Sequence, residues 1–162
     1  MIKIRPIKPE ESALAKELIY RVAHQIFHDT RPLEESIAFY EGQKLMQDID
    51  DLQQTYFDND GIFLVMTDDD RIIGTGAIRK IDDATCELKR VWLLFEYHGQ
   101  GLGYRMMQEL LAFARAKGYQ RMRLETDQEC QSRAFNFYKR LGFYEIPRYR
   151  NHQDETEMEM IL

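Results

Sequence analysis

The chain has few cysteines, and neither of them has a partner of the kind that metal or disulfide sites need. Cys86 and Cys130 are the only two in 162 residues. No second Cys and no His lies at ligand spacing near either one, so the sequence predicts neither a disulfide framework nor a bound metal. Because neither thiol has a recognisable base beside it, we also expect no covalent enzyme intermediate.

Long hydrophobic runs are absent as well. The longest, at 62–66 and 91–95, are far shorter than the roughly 20 residues that cross a bilayer. The N-terminal segment MIKIRPIKPEE lacks the apolar region of a signal peptide. We therefore expect no membrane partner and a cytoplasmic location.

The sequence has no excess of positive charge. It contains 22 Lys and Arg against 28 Asp and Glu, which gives a formal net charge of −6. Nucleic-acid binding draws its affinity from clustered Lys and Arg that release counterions, so no nucleic-acid partner is expected. An acidic protein suits a cationic amine substrate, although acidity also serves solubility alone.

What the sequence does contain predicts one domain over residues 1–162. A hydrophobic content of 44% is enough for one core without disulfide or metal support. The first predicted helix follows Pro9 and is expected to bury Leu14, Leu18 and Val22. The last strand alternates Glu with Met and Leu, which predicts one exposed face. Apolar patterning predicts further helices at 33–40, 50–56, 102–117 and 132–141, and strands at 3–7, 62–67, 72–78 and 121–126.

Two local signals refine the pair of strands at 62–67 and 72–78. The polar run at 68–71 between them predicts a hairpin. Gly74 and Gly76 lie inside the second strand, where they weaken it or mark a bulge.

The most informative segment is 87–110, ELKRVWLLFEYHGQGLGYRMMQEL, where an apolar strand leads through a glycine-rich loop into an amphipathic helix. Gly99, Gly101 and Gly103 let a ligand approach the backbone. The first amides of the helix, up to Tyr104, have no intrahelical acceptor and lie at the positive end of the helix dipole. The loop is therefore predicted to bind an anionic group.

The spacing of these glycines excludes two common phosphate loops. A dinucleotide fingerprint needs G-x-G-x-x-G, whose third glycine would fall on Tyr104 or Met106, and no G-x-x-x-x-G-K-[ST] occurs. The segment instead resembles the R/Q-x-x-G-x-G/A motif of the GCN5-related N-acetyltransferases (GNAT). His98 stands where that family usually has Arg or Gln. The resemblance implies that the pyrophosphate of acetyl-CoA binds along His98, Gly99, Gln100, Gly101, Leu102, Gly103 and Tyr104.

A second motif, AFNFYKRLGF at 134–143, resembles the A-x-x-F-Y-x-x-x-G-F segment that follows the CoA loop in the same family. The order of predicted elements is also that of the family. The resemblance implies an α/β fold of the α+β kind, with a mixed, mostly antiparallel sheet of about seven strands and helices on both faces. Relatives are often homodimers, and the sequence leaves the oligomeric state open.

Within the second motif, the resemblance gives Tyr138 the role of protonating the departing CoA thiolate. A phenol with an ordinary pKa of about 10 stays protonated at neutral pH and can donate to a sulfur anion. The alternative is a core tyrosine whose hydroxyl merely finds an acceptor.

Glu87 lies at the start of the central strand, where relatives often have a carboxylate that accepts the amine proton directly or through water. An alkylammonium must lose a proton before it can attack a thioester. Glu87 also fits a solvated strand-end charge or a partner of Lys89. Lys89 and Arg90 are expected to be solvent-facing or ion-paired.

The resemblance implies two further CoA contacts. The central strand is expected to splay away from its parallel neighbour at 121–126, so that unpaired backbone amides of Leu93 and Leu94 bind pantetheine and polarise the thioester carbonyl. Gln131 stands where many relatives have an Asn that contacts pantetheine or the CoA backbone.

Two pairs of basic residues are candidates for the acceptor side. His24 and His28 lie one helical turn apart, and they fit either the acceptor site or an ordinary exposed surface. Arg148 and Arg150, with Tyr149 between them, fit either a bidentate contact to an acceptor carboxylate or ordinary surface arginines.

We therefore predict acetyl transfer from the cosubstrate acetyl-CoA to a primary amine of a small molecule, such as an amino acid or a polyamine-like amine, by direct attack in a ternary complex. Two alternatives stay open. One is acetylation of a protein N-terminus or lysine. The other is a non-catalytic acyl-CoA-binding sensor, which would keep the loop but have no use for Tyr138.

Overall fold

The computed structural model describes residues 1–148, 150 and 155–162, and a seven-stranded sheet runs through its centre. The spatial order is β1-β2-β3-β4-β5-β7-β6, and β4–β5 is the only parallel pair in the described part of the chain. The predicted mixed, mostly antiparallel sheet of about seven strands is confirmed. The strands are β1 (Ile2–Pro6), β2 (Ile62–Asp68), β3 (Arg71–Lys80), β4 (Thr85–Leu93), β5 (Arg121–Thr126), β6 (Tyr144–Ile146) and β7 (Thr156–Ile161).

Helices cover both faces of this sheet, and α1 and α4 both contact β3. The helix predicted at 50–56 is wrong in its bounds, because Asp51 leaves the helical region (φ −126°, ψ 56°) and a π-helical turn follows at Gln53–Phe57. Over the described residues, no helix combines the length and the apolar character needed to cross a membrane. The α-helices are α1 (Ser12–Ile26), α2 (Leu33–Gly42), α3 (Gln47–Asp50), α4 (Leu102–Ala116) and α5 (Ser132–Leu141).

The buried face of α1 differs from the predicted one. Leu18 and Val22 are buried, but Leu14 is 55% exposed, so that prediction is wrong. The buried stripe runs instead through Ala15, Leu18, Ile19 and Val22, an i, i+3, i+4, i+7 series that leaves Leu14 beyond its edge.

β2 and β3 form the predicted hairpin, with Asp68 opposite Arg71. The register between β3 and β4 shifts at Gly76, so the bulge expected near these glycines is confirmed. A Cβ atom on Gly76 would lie 2.9 Å from Leu110 Cδ1, which shows that α4 packs directly onto the strand backbone here.

The last strand, β7, is buried on both faces, so the prediction of one exposed face is wrong. β7 lies between β5 and β6, and Glu157 and Glu159 are buried like Met158 and Met160. The charge of Glu159 is compensated, because Arg123 Nε and the Tyr144 hydroxyl each donate to its carboxylate at 2.7 Å. Alternating polarity alone does not reveal such partners.

β4 and β5 pair only from Thr85 to Glu87 and then separate. Immediately afterwards β4 bulges, because Arg90 and Val91 together lie opposite Gly76, and Arg90 has a φ of 58°. A bulge bends its strand. The expected splay is therefore present, and a gap opens between the second half of β4 and β5.

Candidate functional site

The gap between β4 and β5 is continuous with a cavity of about 650 Å³. Glu87, Lys89 and Glu125 form its floor, because alternate residues of a strand share one face. Helices α1 and α2 form one wall and α5 the other. The cavity therefore connects the gap with the N-terminal helices. Wall residues are Ile19, Tyr20, Ala23, His24, Phe27, Ser36, Tyr40, Gln131, Ala134 and Tyr138.

The backbone of Leu93 faces the gap. Leu93 lies opposite Gly74, and the adjacent strand bond runs from the Leu94 N–H to the Ile73 carbonyl at 3.0 Å. In an antiparallel ladder this pattern turns the N–H and C=O of Leu93 away from β3. The expectation of an unpaired amide at Leu94 is wrong, because that amide is donated to β3.

The glycine-rich loop has the backbone conformation that its sequence requires. Gly99 and Gly101 have φ values of 78° and 74°, in the left-handed region, and a Cβ on either would point into open space. The first bond of α4 runs from the Arg105 N–H to the Gly101 carbonyl at 3.1 Å. The amides of Leu102, Gly103 and Tyr104 therefore have no acceptor within the helix, as an anion site at a helix N-terminus needs.

His98 braces this loop. Its Nε2 donates to the Leu93 carbonyl at 2.9 Å, and its ring packs against Phe95 with centroids 4.9 Å apart. Gln100 is exposed, and its amide donates weakly to the Glu96 carbonyl at 3.4 Å. The imidazole thus ties the start of the loop to the end of β4.

Gln131 lies at the β5–α5 turn and lines the cavity. Its side-chain oxygen accepts hydrogen bonds from the Asp127 N–H at 3.1 Å and from the Thr126 hydroxyl at 3.4 Å. The extra methylene of Gln relative to Asn is therefore accommodated within the turn. The side-chain oxygen is thus used within the turn, and the side-chain NH2 group of Gln131 can donate to a ligand.

Tyr138 is buried in α5 and also lines the cavity. Phe137 and Phe143 pack around its ring at centroid distances of 5.6 and 5.7 Å. Burial raises the pKa of Tyr138 above its ordinary value, so the hydroxyl stays protonated at neutral pH. The ring serves the core while the residue borders the cavity, so the two readings of Tyr138 are compatible.

Glu87 is 1% exposed, which rules out a solvated strand-end charge. The guanidinium of Arg79 lies 3.2 Å from its carboxylate, Arg150 donates to it, and Lys89 Nζ lies 3.9 Å away. Glu87 is thus a buried cavity carboxylate among cations, and its role as a base stays a prediction.

Asp48 is a residue of this region that the sequence did not single out. Its carboxylate accepts from Arg90 Nη2 at 2.7 Å and Nε at 3.1 Å, and from the Tyr56 hydroxyl at 2.5 Å. Arg90 also donates to the Leu45 carbonyl at 3.0 Å. This network ties the segment after α2 to the β4 bulge, and the ion-paired reading of Arg90 is confirmed.

The pKa of Asp48 reflects this network. Burial disfavours the charged carboxylate, but the hydrogen bonds from Arg90 and Tyr56 outweigh that effect and hold the pKa below its ordinary value. No local motif predicts the pair, because Asp48 and Arg90 are 42 residues apart.

The acceptor-side candidates separate in the structure. His24 lines the cavity, with Nε2 2.7 Å from the Arg31 carbonyl, whereas His28 lies beyond the end of α1 and is exposed. Arg150 lines the cavity and bridges Glu87 and Glu125, whereas Arg148 is exposed. Tyr149, between them, lies outside the described residues.

Metal-ligating side chains do not converge in the structure. Among residues 1–148, 150 and 155–162, no three His, Cys, Asp or Glu side chains are grouped as they would be around an ion.

The sequence resembles known acetyltransferases. The sequence profile of the acetyltransferase (GNAT) family matches residues 23–143. N-acetyltransferase 8B of Homo sapiens is 31% identical over 105 residues, which span 61% of this chain and 46% of that protein. An uncharacterized N-acetyltransferase of Mycobacterium tuberculosis is 39% identical over 75 residues, 46% of this chain and 47% of its own. The chain thus spans about half the length of these curated relatives.

Solved structures share the fold. An acetyltransferase from Streptococcus agalactiae superposes with a TM-score of 0.82 at 23% identity, covering 99% of this chain and 98% of that one. The PaiA N-acetyltransferase of Thermoplasma acidophilum, in complex with coenzyme A, gives a TM-score of 0.80 at 23% identity and covers 100% and 99% of the two chains.

The Asp48–Arg90 pair predicts an acid-sensitive contribution to stability. Asp48→Asn should lower the free energy of unfolding at pH 7 by about 3 kcal/mol, since Arg90 loses its buried counter-ion. The lowered pKa makes this contribution complete above the ordinary value of 3.8 and lost as the pH falls through the folded-state pKa. Urea unfolding from pH 7 toward pH 2 should therefore show wild type and variant converging.

The control is Asp50→Asn. Asp50 lies on α3 with Asp48, and its exposed carboxylate is 2.8 Å from Lys16 of α1, so its loss should cost less than about 1 kcal/mol. Equal effects of the two substitutions, or a gap that persists at low pH, would contradict the assignment.

Proposed function

The chain belongs to the acetyltransferase (GNAT) family, and on that premise we propose that it transfers an acetyl group from acetyl-CoA to a primary amine of a small molecule. The observation that carries the proposal is that one cavity is lined both by β4 as far as Trp92, the residue before Leu93, and by Tyr138. The amine attacks the thioester directly in a ternary complex, and no metal takes part. The same proposal places the enzyme in the cytoplasm.

Acetyl-CoA is proposed to bind along the loop and the end of β4. The amides of Leu102, Gly103 and Tyr104 receive the pyrophosphate, and Gly99 and Gly101 keep the approach open. Pantetheine enters the gap, where the Leu93 N–H polarises the thioester carbonyl as negative charge develops on its oxygen. The side-chain NH2 of Gln131 donates to the pantetheine arm.

Two side chains are proposed to move the protons. Glu87 accepts a proton from the acceptor ammonium, directly or through water, so that the nitrogen lone pair attacks the carbonyl carbon. When the C–S bond of the tetrahedral intermediate breaks, Tyr138 donates its proton to the thiolate. The attacking nitrogen, positively charged in the intermediate, loses its second proton, which restores the Tyr138 phenol, and the proton on Glu87 passes to solvent. The products are an N-acetyl amine and CoA.

The size of the cavity favours a small acceptor over a protein. About 650 Å³ lies within the range of roughly 300–1,000 Å³ that is typical of small-molecule sites. The sensor alternative gives no reason for a tyrosine in the cavity wall, so the position of Tyr138 favours catalysis.

The direct test is release of free thiol from acetyl-CoA in the presence of amines, amino acids and peptides in parallel. Thiol release with small amines supports the proposal. Release with peptides alone would favour protein acetylation, and CoA binding without release from any acceptor would favour the sensor.

The phosphate loop is tested by Gly101→Val. A β-branched residue at a φ of 74° strains the loop and crowds the pyrophosphate, so the dissociation constant for CoA measured by calorimetry should rise at least about tenfold. Gly118→Val is the matched control, because Gly118 has a φ of 89° with equally open surroundings at the far end of α4. Retained affinity in Gly101→Val would discredit the loop assignment.

Replacing Tyr138 by Phe removes the proposed acid and keeps the ring. Turnover should fall by roughly 10² to 10⁴ fold while the dissociation constant for CoA is preserved. Tyr119→Phe controls for loss of a buried hydroxyl, since Tyr119 is equally buried and donates to the Asp60 carbonyl at 2.9 Å. Unchanged turnover in Tyr138→Phe would remove this residue from the mechanism.

The base is tested by Glu87→Gln, which should also lower turnover by roughly 10² fold or more. Glu159→Gln is the control, because Glu159 is a buried carboxylate of the same sheet, paired with Arg123 at 2.7 Å and absent from the cavity lining. Steady-state kinetics with circular dichroism as a folding check separate the two. Equal losses in both variants would show that Glu87 acts through structure alone.

A further inference from the structure

Lys89 has a position that the proposed chemistry does not use. It lies on β4 two residues after Glu87, its side chain is 23% exposed, and it borders the cavity floor. Its ammonium has no hydrogen-bond partner among the described residues, and the nearest carboxylate oxygen belongs to Glu87, 3.9 Å away.

The neighbouring charges leave Lys89 with one long ion pair, to Glu87 at 3.9 Å. The carboxylate of Glu87 lies nearer to Arg79, at 3.2 Å, and also accepts from Arg150. Asp48 is held by Arg90 at 2.7 Å. Burial and the guanidiniums of Arg79 and Arg90 lower the pKa of Lys89, against the attraction of Glu87. A shielded ammonium in this state gains strongly from a hydrogen-bonded anion.

We propose that Lys89 binds a carboxylate of the acceptor, so that the substrate is an amino acid with an apolar side chain. This inference rests on the proposed acetyl transfer. Lys89 has one long ion pair, to Glu87 at 3.9 Å, and its single positive charge matches a single negative charge on the acceptor. The carboxylates of Glu87 and Glu125 on the same floor oppose a more highly charged group such as a phosphate.

The geometry suits one small molecule. Lys89 is four residues before Leu93, so the two are at most about 13 Å apart along the strand, and the bulge between them shortens this span. An acceptor can therefore present its carboxylate to Lys89 while its amine reaches the thioester. The opposite wall has an apolar and aromatic part that suits a hydrophobic side chain, and its polar members are His24, Asp29 and Ser36. The apolar and aromatic part consists of Ile19, Tyr20, Ala23, Phe27, Tyr40, Leu45 and Met46.

Three acceptors of matched shape test the inference: phenylalanine, phenylalaninamide and phenethylamine. The amide keeps the size of the carboxylate without its charge and also mimics a protein N-terminus, and phenethylamine lacks the group altogether. With wild-type protein, KM for phenylalanine should be roughly ten- to a hundredfold lower than KM for the other two. Equal KM values, or a preference for the amide or for spermidine, would overturn the inference.

Variants assign the preference to Lys89. Lys89→Met should abolish the preference for the carboxylate, and Lys89→Arg should restore at least part of it. Lys80→Met is the control, because Lys80 has a similarly shielded side chain, 27% exposed, at the far end of β3 and outside the cavity lining. A preference that survives in Lys89→Met would place the carboxylate elsewhere.

A binding measurement separates this inference from the proposed function. The dissociation constants of N-acetylphenylalanine and N-acetylphenylalaninamide are measured by calorimetry with the CoA-bound protein. Tighter binding of the carboxylate that Lys89→Met removes would support the anion site even if no thiol were released, in which case acetyl transfer alone would fail. Absence of a difference between the two compounds would overturn the site.

Discussion

The separation of β4 from β5 after Glu87 is the feature on which the rest of the site depends. Parallel strands normally satisfy each other's amides, so a gap between them exposes backbone groups that need a partner. The bulge at Arg90 sustains the gap, and it is held from two sides, by the Thr75 hydroxyl on the Arg90 carbonyl at 2.7 Å and by Asp48 on the guanidinium. This arrangement favours a ligand that forms a hydrogen bond with the backbone N–H of Leu93.

Charge compensation is the second theme of the cavity. Buried charges are costly unless they are paired, and here most of them are, with Glu87 facing Arg79 and Arg150, and Asp48 facing Arg90. This pairing makes the floor polar yet fixed in position. The same compensation gives Lys89 its distinct position, as a shielded cation whose closest carboxylate already has nearer partners.

The sequence predicted the parts of the fold and site whose signals are local. The loop glycines, the helix after them and Tyr138 lie in two short motifs, and the order of strands and helices along the chain follows from patterning. The Asp48–Arg90 pair and the exposure of Lys89 to the cavity depend on residues far apart in the chain. The burial of Glu157 and Glu159 was missed for a related reason. Alternating polarity along a strand shows that its two faces differ, but it does not show which residues from elsewhere in the chain cover the polar face. The hydrogen bond of the Leu94 amide to β3 could not be predicted either, because it depends on the register between β3 and β4.

A crystal structure of the protein with acetyl-CoA tests the central claim most directly. The account predicts the thioester carbonyl oxygen at about 2.7–3.1 Å from the Leu93 nitrogen, with the pyrophosphate against the amides of Leu102, Gly103 and Tyr104. Acetyl-CoA bound outside the gap, or β4 and β5 paired along their full length in the complex, would contradict it.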